Sequence, residues 1–313
     1  MAVSEEFVEC TEPYRRELLA HCYRMLGAAD EAEDLVQETY LRAWRSFGEF
    51  EGRSSVRVWL YRIATNACLT ALKRAGRRAL PSGLGGPSDD PDGPVLPEDG
   101  VPWLEPIADP AAIIAAREGL RLALIASLQY LPARQRAAFL LREVLGFPAA
   151  EVAEMLETTV TAVKSSLQRA RTALDQATPS ELTEPTDPQS QELLELYITG
   201  FENADVKALE RALRSDASIE MVGTRTWFSG RVTCLRYLMR VIGEPGDWKM
   251  IPVQANGQPA AGAYRRVGDA YEAFGLGVLD ATSTGIERII VFAGGADLLA
   301  KFGLPPVYIP GRI

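Results

Sequence analysis

DEAEDLVQETYLRAWRSFGEF, residues 30–50, carries two kinds of information at once. Leu35, Val36, Thr39, Tyr40, Ala43 and Trp44 recur at the three- and four-residue steps of one helical face, while Asp30, Glu31, Glu33, Asp34, Glu38, Arg42 and Arg45 occupy the rest. A break at 48–55 leads into VRVWLYRIATNACLTALKRAGRR, residues 56–78, whose far end holds Lys73, Arg74, Arg77 and Arg78 with no acid among them. One helix is acidic and its neighbour ends basic. Around the break, Trp44, Phe47, Phe50, Trp59 and Tyr61 lie in sequence beside Arg53, Arg57 and Arg62. Most of these aromatics are expected in the core of a small helical domain. Together with the cations they also supply what capture of unpaired bases requires, stacking surface next to phosphate contacts.

The chain has 313 residues, enough for two or three domains, and its 47% hydrophobic content can build sizeable cores. A net charge of −9 seems to argue against nucleic acid, but DNA responds to a local basic face and not to the whole-chain sum. The lone histidine, His21, disfavours His-dependent catalysis and reads as a core or surface residue. Cys10, Cys22, Cys68 and Cys234 form no zinc-type spacing and read as reduced thiols. No signal peptide or apolar run of membrane length is present, so a soluble cytoplasmic protein with no membrane contact, no metal and no cofactor is expected.

Composition divides the chain into five parts: a helical domain over 6–78, a linker over 79–112, a second helical domain over 113–176, a hinge over 177–190 and a third domain over 191–313. Residues 81–110, PSGLGGPSDDPDGPVLPEDGVPWLEPIADP, hold seven acids and no Lys or Arg, which predicts an extended segment when alone. Trp103 and Leu104 within it read as an exposed apolar anchor. The third domain opens with helical periodicity and continues with strand-like runs at 217–222, 263–267, 270–279 and 285–291, an α+β pattern.

Within the second helical domain, Phe147 and Pro148 start a short helix with Val152, Ala153 and Leu156 facing inward. Glu157 to Thr159 turn the chain, and Val160, Val163, Leu167 and Leu174 mark the buried stripe of a second helix. This is a helix-turn-helix pattern. Its second helix exposes Thr161, Lys164, Ser165, Gln168, Arg169 and Arg171, and residues 158–174 contain no acid. Lys and Arg there offset phosphate repulsion, while Gln, Arg and Ser reach base edges in the major groove. Lys73, Arg74, Arg77 and Arg78 are suited to duplex phosphates in the same way.

The AEDLVQETYLRAW and WLYRIATN stretches resemble region 2, and TAVKSSLQRAR resembles region 4, of the extracytoplasmic-function (ECF) sigma factors of the sigma-70 family. The resemblance implies that Asp34, Gln37, Glu38 and Arg42 dock on a β′ coiled coil of RNA polymerase core, with the β and β′ subunits as partners. It implies that Arg53, Ser54, Ser55, Arg57 and Asn66 form the pocket for a flipped base of the −10 promoter element, and that the helix-turn-helix reads the −35 element. A linker of this kind would thread the polymerase near the path of nascent RNA. Glu157 stands at the turn where members often carry glycine, at a cost of about 1 kcal/mol if its φ is positive.

The segment 193–309 resembles the SnoaL-like cone fold, through LLELYITGFENADVKALERALRSDASIEM, TWFSGR and IERIIVFAGGADLLAKFGLPPVY. For an enzyme, Asp216, Glu220, Tyr264, Asp269 and Asp280 are the available proton-transfer groups, none in a distinguishing motif. Trp227, Phe228, Trp248 and Phe274 suit core and pocket lining equally well.

The expectation is therefore a multidomain protein with two all-α sigma domains, a region 2 bundle and a region 4 helix-turn-helix, and an α+β SnoaL-like cone domain. It would direct polymerase to promoter DNA, catalyse nothing, and be modulated in cis by the cone domain, which leaves a small-molecule ligand of that domain open. Two rivals stand beside it: a ligand-responsive helix-turn-helix regulator, and a SnoaL-type enzyme fused to a DNA-binding module.

Overall fold

A computed structural model describes residues 2–74, 76–108, 120–177 and 187–310. The end of the expected linker at 109–112, the start of the second helical domain and most of the expected hinge lie outside the described residues. The chain divides into two compact units, one formed by residues 1–78 with 104–179 and the other by residues 79–103 with 180–313.

In the first unit, α1 (Ala2–Thr11), α2 (Arg15–Leu26), α3 (Ala29–Ser46) and α4 (Val56–Leu72) form the first helical bundle, the one expected to resemble region 2. Pro13 ends α1 within a short 3-10 turn. Gly27 ends α2 with φ 73°, and a Cβ there would also collide with Leu104, so both backbone and packing demand glycine. In α3, Asp30 and Glu31 sit in the first turn where the helix dipole favours them, and Ala32, Val36, Thr39 and Ala43 form the buried stripe. Ser55 caps α4, its Oγ accepting from the Val58 N–H at 3.2 Å. His21 is core: its Nε2 lies 2.9 Å from Thr65 Oγ1. The four cysteines are free thiols, three of them buried.

The same unit continues with α5 (Leu122–Gln129), α6 (Ala133–Phe139), a π turn at Leu140–Val144, α7 (Ala149–Met155) and α8 (Val160–Ala177). Val152, Ala153, Leu156, Val163, Leu167 and Leu174 are buried as the sequence pattern requires, and Ala170 joins them. Val160 differs: it is 39% exposed, because it opens the helix outside the packed face. Arg136 on α6 is 4% exposed and donates to Met25 O, to Gln129 Oε1 at 2.7 Å, and to Gln129 O and Leu131 O. Its guanidinium thus satisfies a carbonyl in the last turn of α2, and the two helical modules share one core. Burial lowers its pKa to about 10, which leaves it charged.

The second unit has α9 (Asp187–Glu202), α10 (Val206–Ala212), β1 (Leu213–Val222), β2 (Trp227–Ser229), α11 (Arg231–Ile242), β3 (Trp248–Ala255), β4 (Gln258–Val267), β5 (Ala270–Thr282), β6 (Gly285–Phe292), α12 (Gly295–Lys301) and β7 (Val307–Tyr308). The sheet order is β2-β1-β6-β5-β4-β3, with β7 on β5. β1 and β6 are parallel and every other pair is antiparallel. Register shifts at Ala263/Tyr264 and Asp280/Ala281 bend the sheet, as bulges do, and α9 and α11 pack into the curve. This is the α+β cone expected. Tyr197 and Phe201 of α9, Leu238 of α11, and Ile219, Met250 and Ile289 of the sheet belong to one apolar core.

Candidate polymerase, promoter and ligand surfaces

The acidic helix α3 presents Asp34, Gln37 and Arg42 to solvent, and Glu38, half-buried, pairs with Arg42 at 2.5 Å one turn on. Leu41, 57% exposed, stands in the middle of this face, and Trp44, expected in the buried stripe, is 43% exposed with one edge on Phe7 at 5.2 Å. The apolar centre of the face was not singled out from sequence. Its signal was a leucine off the buried stripe, between Glu38 and Arg42.

Of the residues assigned to the −10 element, Arg53 is exposed and bonded to Glu51, Ser54 is half-buried, and Ser55 is spent as the α4 cap. Asn66 is half-buried on α4, and its side-chain amide meets no partner in the described chain; only its backbone carbonyl is used, by Thr70 Oγ1 at 2.8 Å. Arg57 lies in a different setting. Its guanidinium pairs with Glu17 at 3.0 Å and sits 4.5 Å over the ring of Phe147 from the helix-turn-helix. Tyr61 contacts the same ring at 5.1 Å, and Arg62 reaches Glu157 at 3.4 Å. Region 4 thus covers part of the surface that would face the −10 element.

The basic end of region 2 is divided. Lys73 and Arg74 are exposed. Arg77 stacks over Tyr130 at 4.3 Å, and Arg78, with its side chain 12% exposed, pairs with Glu31 at 2.6 Å and Glu105 at 3.5 Å. Arg78 therefore tethers the returning chain near Leu104 instead of standing free for phosphate. Leu104 itself is a correction to the expected exposed anchor: it is 1% exposed, beside Gly27.

On α8, Thr161, Lys164, Ser165, Gln168, Arg169 and Arg171 are all exposed, on one helix started by Thr159, whose Oγ1 accepts from Ala162 N–H at 3.2 Å. Arg171 is drawn to Glu143 at 2.8 Å, and Arg169 bonds Ser165 Oγ at 2.8 Å. Glu157 has φ 51°, the left-handed conformation that glycine takes more readily.

The acidic segment departs from the free linker expected. Residues 79–103 belong to the second unit and lie across it as a strap. Ser82 N–H donates to Glu220 Oε2 at 2.9 Å, Ser88 N–H to Trp227 O at 2.8 Å, and Glu98 N–H to Gly223 O at 3.1 Å. Glu98 pairs with Arg225 at 2.7 Å, which lowers the Glu98 pKa, and Asp92 pairs with Arg236. Arg240 donates to Pro91 O and Gly93 O. A proline- and glycine-rich polyanion has no core of its own, but arginines and backbone carbonyls of another part of the chain supply its partners.

Beneath the strap the cone encloses a cavity of about 230 Å³, walled by side chains that include Val95 of the strap, Tyr197 and Phe201 of α9, and Trp248 and Phe274 of the sheet. Of the five proton-transfer groups considered from sequence, none is at its wall. Glu220 is buried on the other face of β1, 3.1 Å from Arg288, and Asp216 is an exposed partner of Arg214 at 2.7 Å. Trp248 and Phe274 line the cavity, Phe228 is core, and Trp227 Nε1 holds Gly85 O of the strap at 2.9 Å.

Comparison with known proteins extends these observations. The sigma-70 region 2 family model matches residues 11–78 and the sigma-70 region 4 model matches residues 121–174. The chain is 47% identical over 312 residues to the ECF RNA polymerase sigma factor SigG of Mycobacterium tuberculosis, covering 96% of this chain and 84% of that protein. It is 32% identical over 169 residues to the RNA polymerase sigma-H factor of Pseudomonas aeruginosa, 52% of this chain and 81% of that one. The crystal structure of the Mycobacterium tuberculosis ECF sigma factor SigJ has the same fold, with a TM-score of 0.63 at 24% identity over 94% of this chain and 98% of that one. Among the described residues no helix is long and apolar enough to cross a membrane, and no group of His, Cys, Asp and Glu could hold a metal ion.

Proposed function

The chain belongs to the extracytoplasmic-function RNA polymerase sigma factors, and from that premise we propose that its C-terminal unit controls initiation in cis by holding the segment that joins the two sigma modules. Sigma factors bind RNA polymerase core and promoter DNA, and a sigma factor is not an enzyme. The α3 face, Asp34, Gln37, Glu38 and Arg42 around exposed Leu41, docks on the β′ subunit, with β as the second contact. Asn66, with Arg53 and Ser54 at the loop, Ser55 capping the helix behind them and Arg57 once region 4 leaves it, takes a base of the −10 element; Lys73 and Arg74 face duplex phosphates, while Arg77 and Arg78 are held by Tyr130, Glu31 and Glu105. Thr161, Lys164, Ser165, Gln168, Arg169 and Arg171 read the −35 element. The protein works in the cytoplasm, beside the polymerase.

The observation that carries the reading is the seating of residues 79–103 on the cone. Two promoter elements roughly 25 base pairs apart at about 3.4 Å per pair are separated by about 85 Å, whereas here Tyr61 and Phe147 of the two modules touch. Region 2 and region 4 must part to engage both elements, and the strap is the chain that must lengthen between them. Asp92 and Glu98, paired with Arg236 and Arg225 while seated, become available to a basic polymerase channel only on release.

The test is promoter-dependent transcription by core polymerase with the full-length chain and with the Arg225→Ala/Arg236→Ala variant. Altered initiation at equal core affinity supports control through the strap. Identical initiation from both proteins would remove it. Failure of either to initiate, with specific operator binding retained, would favour a polymerase-independent regulator.

A further inference from the structure

The cone cavity holds one feature that packing does not explain. Tyr197 is 2% exposed and lines the cavity, yet its hydroxyl has no hydrogen-bond partner in the described chain. The other polar groups nearby are committed or peripheral. Trp248 Nε1 donates to Val241 O at 3.0 Å, Thr224 Oγ1 donates to Met221 O at 2.8 Å, and Tyr237 is only half-buried. A Cβ at Gly277 would stand 2.7 Å from the Tyr197 oxygen, so glycine in β5 keeps the space over that hydroxyl open. With Tyr197 as the one fully buried uncommitted hydroxyl among the described lining residues, the chamber is a poor host for water, which needs two to four polar partners.

We propose that this cavity binds a small neutral molecule with a hydrocarbon body of about ten carbon atoms, sized against the 150 Å³ cavity that admits benzene, and one ketone- or ester-type oxygen that accepts from the Tyr197 hydroxyl. The bound molecule holds the strap in its seat through Val95. An acceptor is required because burial pushes the Tyr197 phenol well above its ordinary range, so it stays an O–H donor at neutral pH. Neutrality is required because, among the described residues, no Asp, Glu, Lys, Arg or His side chain stands at the wall to meet a charge. The link to the strap follows from Val95, which belongs to the wall only while residues 79–103 are seated. The ion pairs of Asp92 and Glu98 join partly exposed side chains, so together they bias seating by no more than roughly tenfold and leave the equilibrium open to a ligand. A molecule that touches Val95 therefore binds the seated state more tightly and shifts the population toward it. The consequence for transcription rests on the cis-control reading; the binding itself does not.

The probes are 2-nonanone and nonane, added to the full-length chain. Binding is followed by saturation-transfer NMR, and strap seating by hydrogen exchange at the amides of Ser88 and Glu98, which donate to Trp227 O and Gly223 O. The ketone should bind about tenfold more tightly than the alkane, the scale of one buried hydrogen bond. At saturation it should slow exchange at both amides several-fold. Tyr197→Phe, which removes only an unpaired hydroxyl, should abolish the ketone preference and leave the alkane the tighter probe, since the buried carbonyl then has no donor. Val95→Ala should keep the ketone preference and lose the slowing. Failure of both probes to bind, a ketone preference that survives Tyr197→Phe, or unchanged exchange at saturation would overturn the proposal. None of these readouts involves polymerase, so an inactive chain in transcription would leave the binding result standing.

Discussion

Replacing Glu220 by alanine tests whether the strap is anchored by a buried charge. Glu220 is fully buried on β1, its Oε1 3.1 Å from Arg288 Nη1 on β6 and its Oε2 2.9 Å from the Ser82 amide of the strap. β1 and β6 are the parallel pair of the sheet, with Glu220 opposite Ile290. Alanine leaves the Arg288 charge without its partner in a site where its side chain is only 20% exposed. Breaking such a pair costs 3–5 kcal/mol, and the residual exposure of Arg288 argues for the low end, about 3 kcal/mol. At 1.4 kcal/mol per decade this is roughly a 100-fold increase in amide exchange across β1 and β6. Native-state hydrogen exchange on the full-length chain is the appropriate assay, because a multidomain protein need not unfold in one step. Glu220→Gln keeps an acceptor for Ser82 and removes the charge, so it should free the sheet more than the strap. Glu220→Leu/Arg288→Leu removes both charges and should recover most of the loss. An alanine variant that exchanges within about fivefold of wild type, or a double variant as labile as the single, would refute the reasoning.

Glu157→Gly should stabilise the helical unit by about 0.5–1 kcal/mol, since φ 51° is free for glycine and the Arg62 pair it removes joins exposed side chains; a lowered urea midpoint would contradict this. His21 has its pKa lowered to about 3 by burial and, secondarily, by Arg24. The unfolded chain takes up this proton near pH 6.5 while the folded chain does not, so the stabilisation is complete above 6.5 and is lost as pH falls toward 3, at about 1.4 kcal/mol per unit. His21→Gln should abolish that slope between pH 6.5 and 5 in the urea midpoint of the helical signal, and an unchanged slope would assign it elsewhere. Lys164→Ala should weaken binding to promoter and non-promoter duplex alike and reduce the salt dependence by about one phosphate contact; a loss confined to one promoter sequence would mark Lys164 as a base reader.

Much of the helical half was legible in the residues themselves. A helix records its buried face as a local period, so α3, α4, α7 and α8 could be read from apolar spacing, while the positive φ of Glu157 was suggested only by the glycine that resembling proteins often carry there. The exposed basic face of α8 followed from the same period, because acids are missing along 158–174. In the cone domain the runs that became β1, β4, β5 and β6 were visible by β-type composition. The strands β2, β3 and β7 were not among those runs; β3 contains Pro252, which it tolerates as an edge strand with no inner amide needed there.

Other properties depend on which distant segments meet, and no local pattern encodes that. Arg57 and Arg78 have the same composition signal as Lys73 and Arg74, but Glu17, Glu31, Glu105 and Phe147 take them up from elsewhere in the chain. The 81–110 stretch has the composition of a free linker by itself. Only the folded cone, with Arg225, Arg236, Arg240 and the carbonyls of Gly223 and Trp227 brought to one side, turns residues 79–103 into a seated strap. The cavity is likewise a product of tertiary structure, because an unpartnered hydroxyl on Tyr197 becomes a feature only when α9 closes over the sheet and Gly277 leaves room beside it. Periodicity and charge order, being local, determined the helices of the two N-terminal modules and their outward faces, and the motifs they carry supplied the resemblance to sigma factors. Pairing and burial, being long-range, decided which of those faces are open and what the rest of the chain holds.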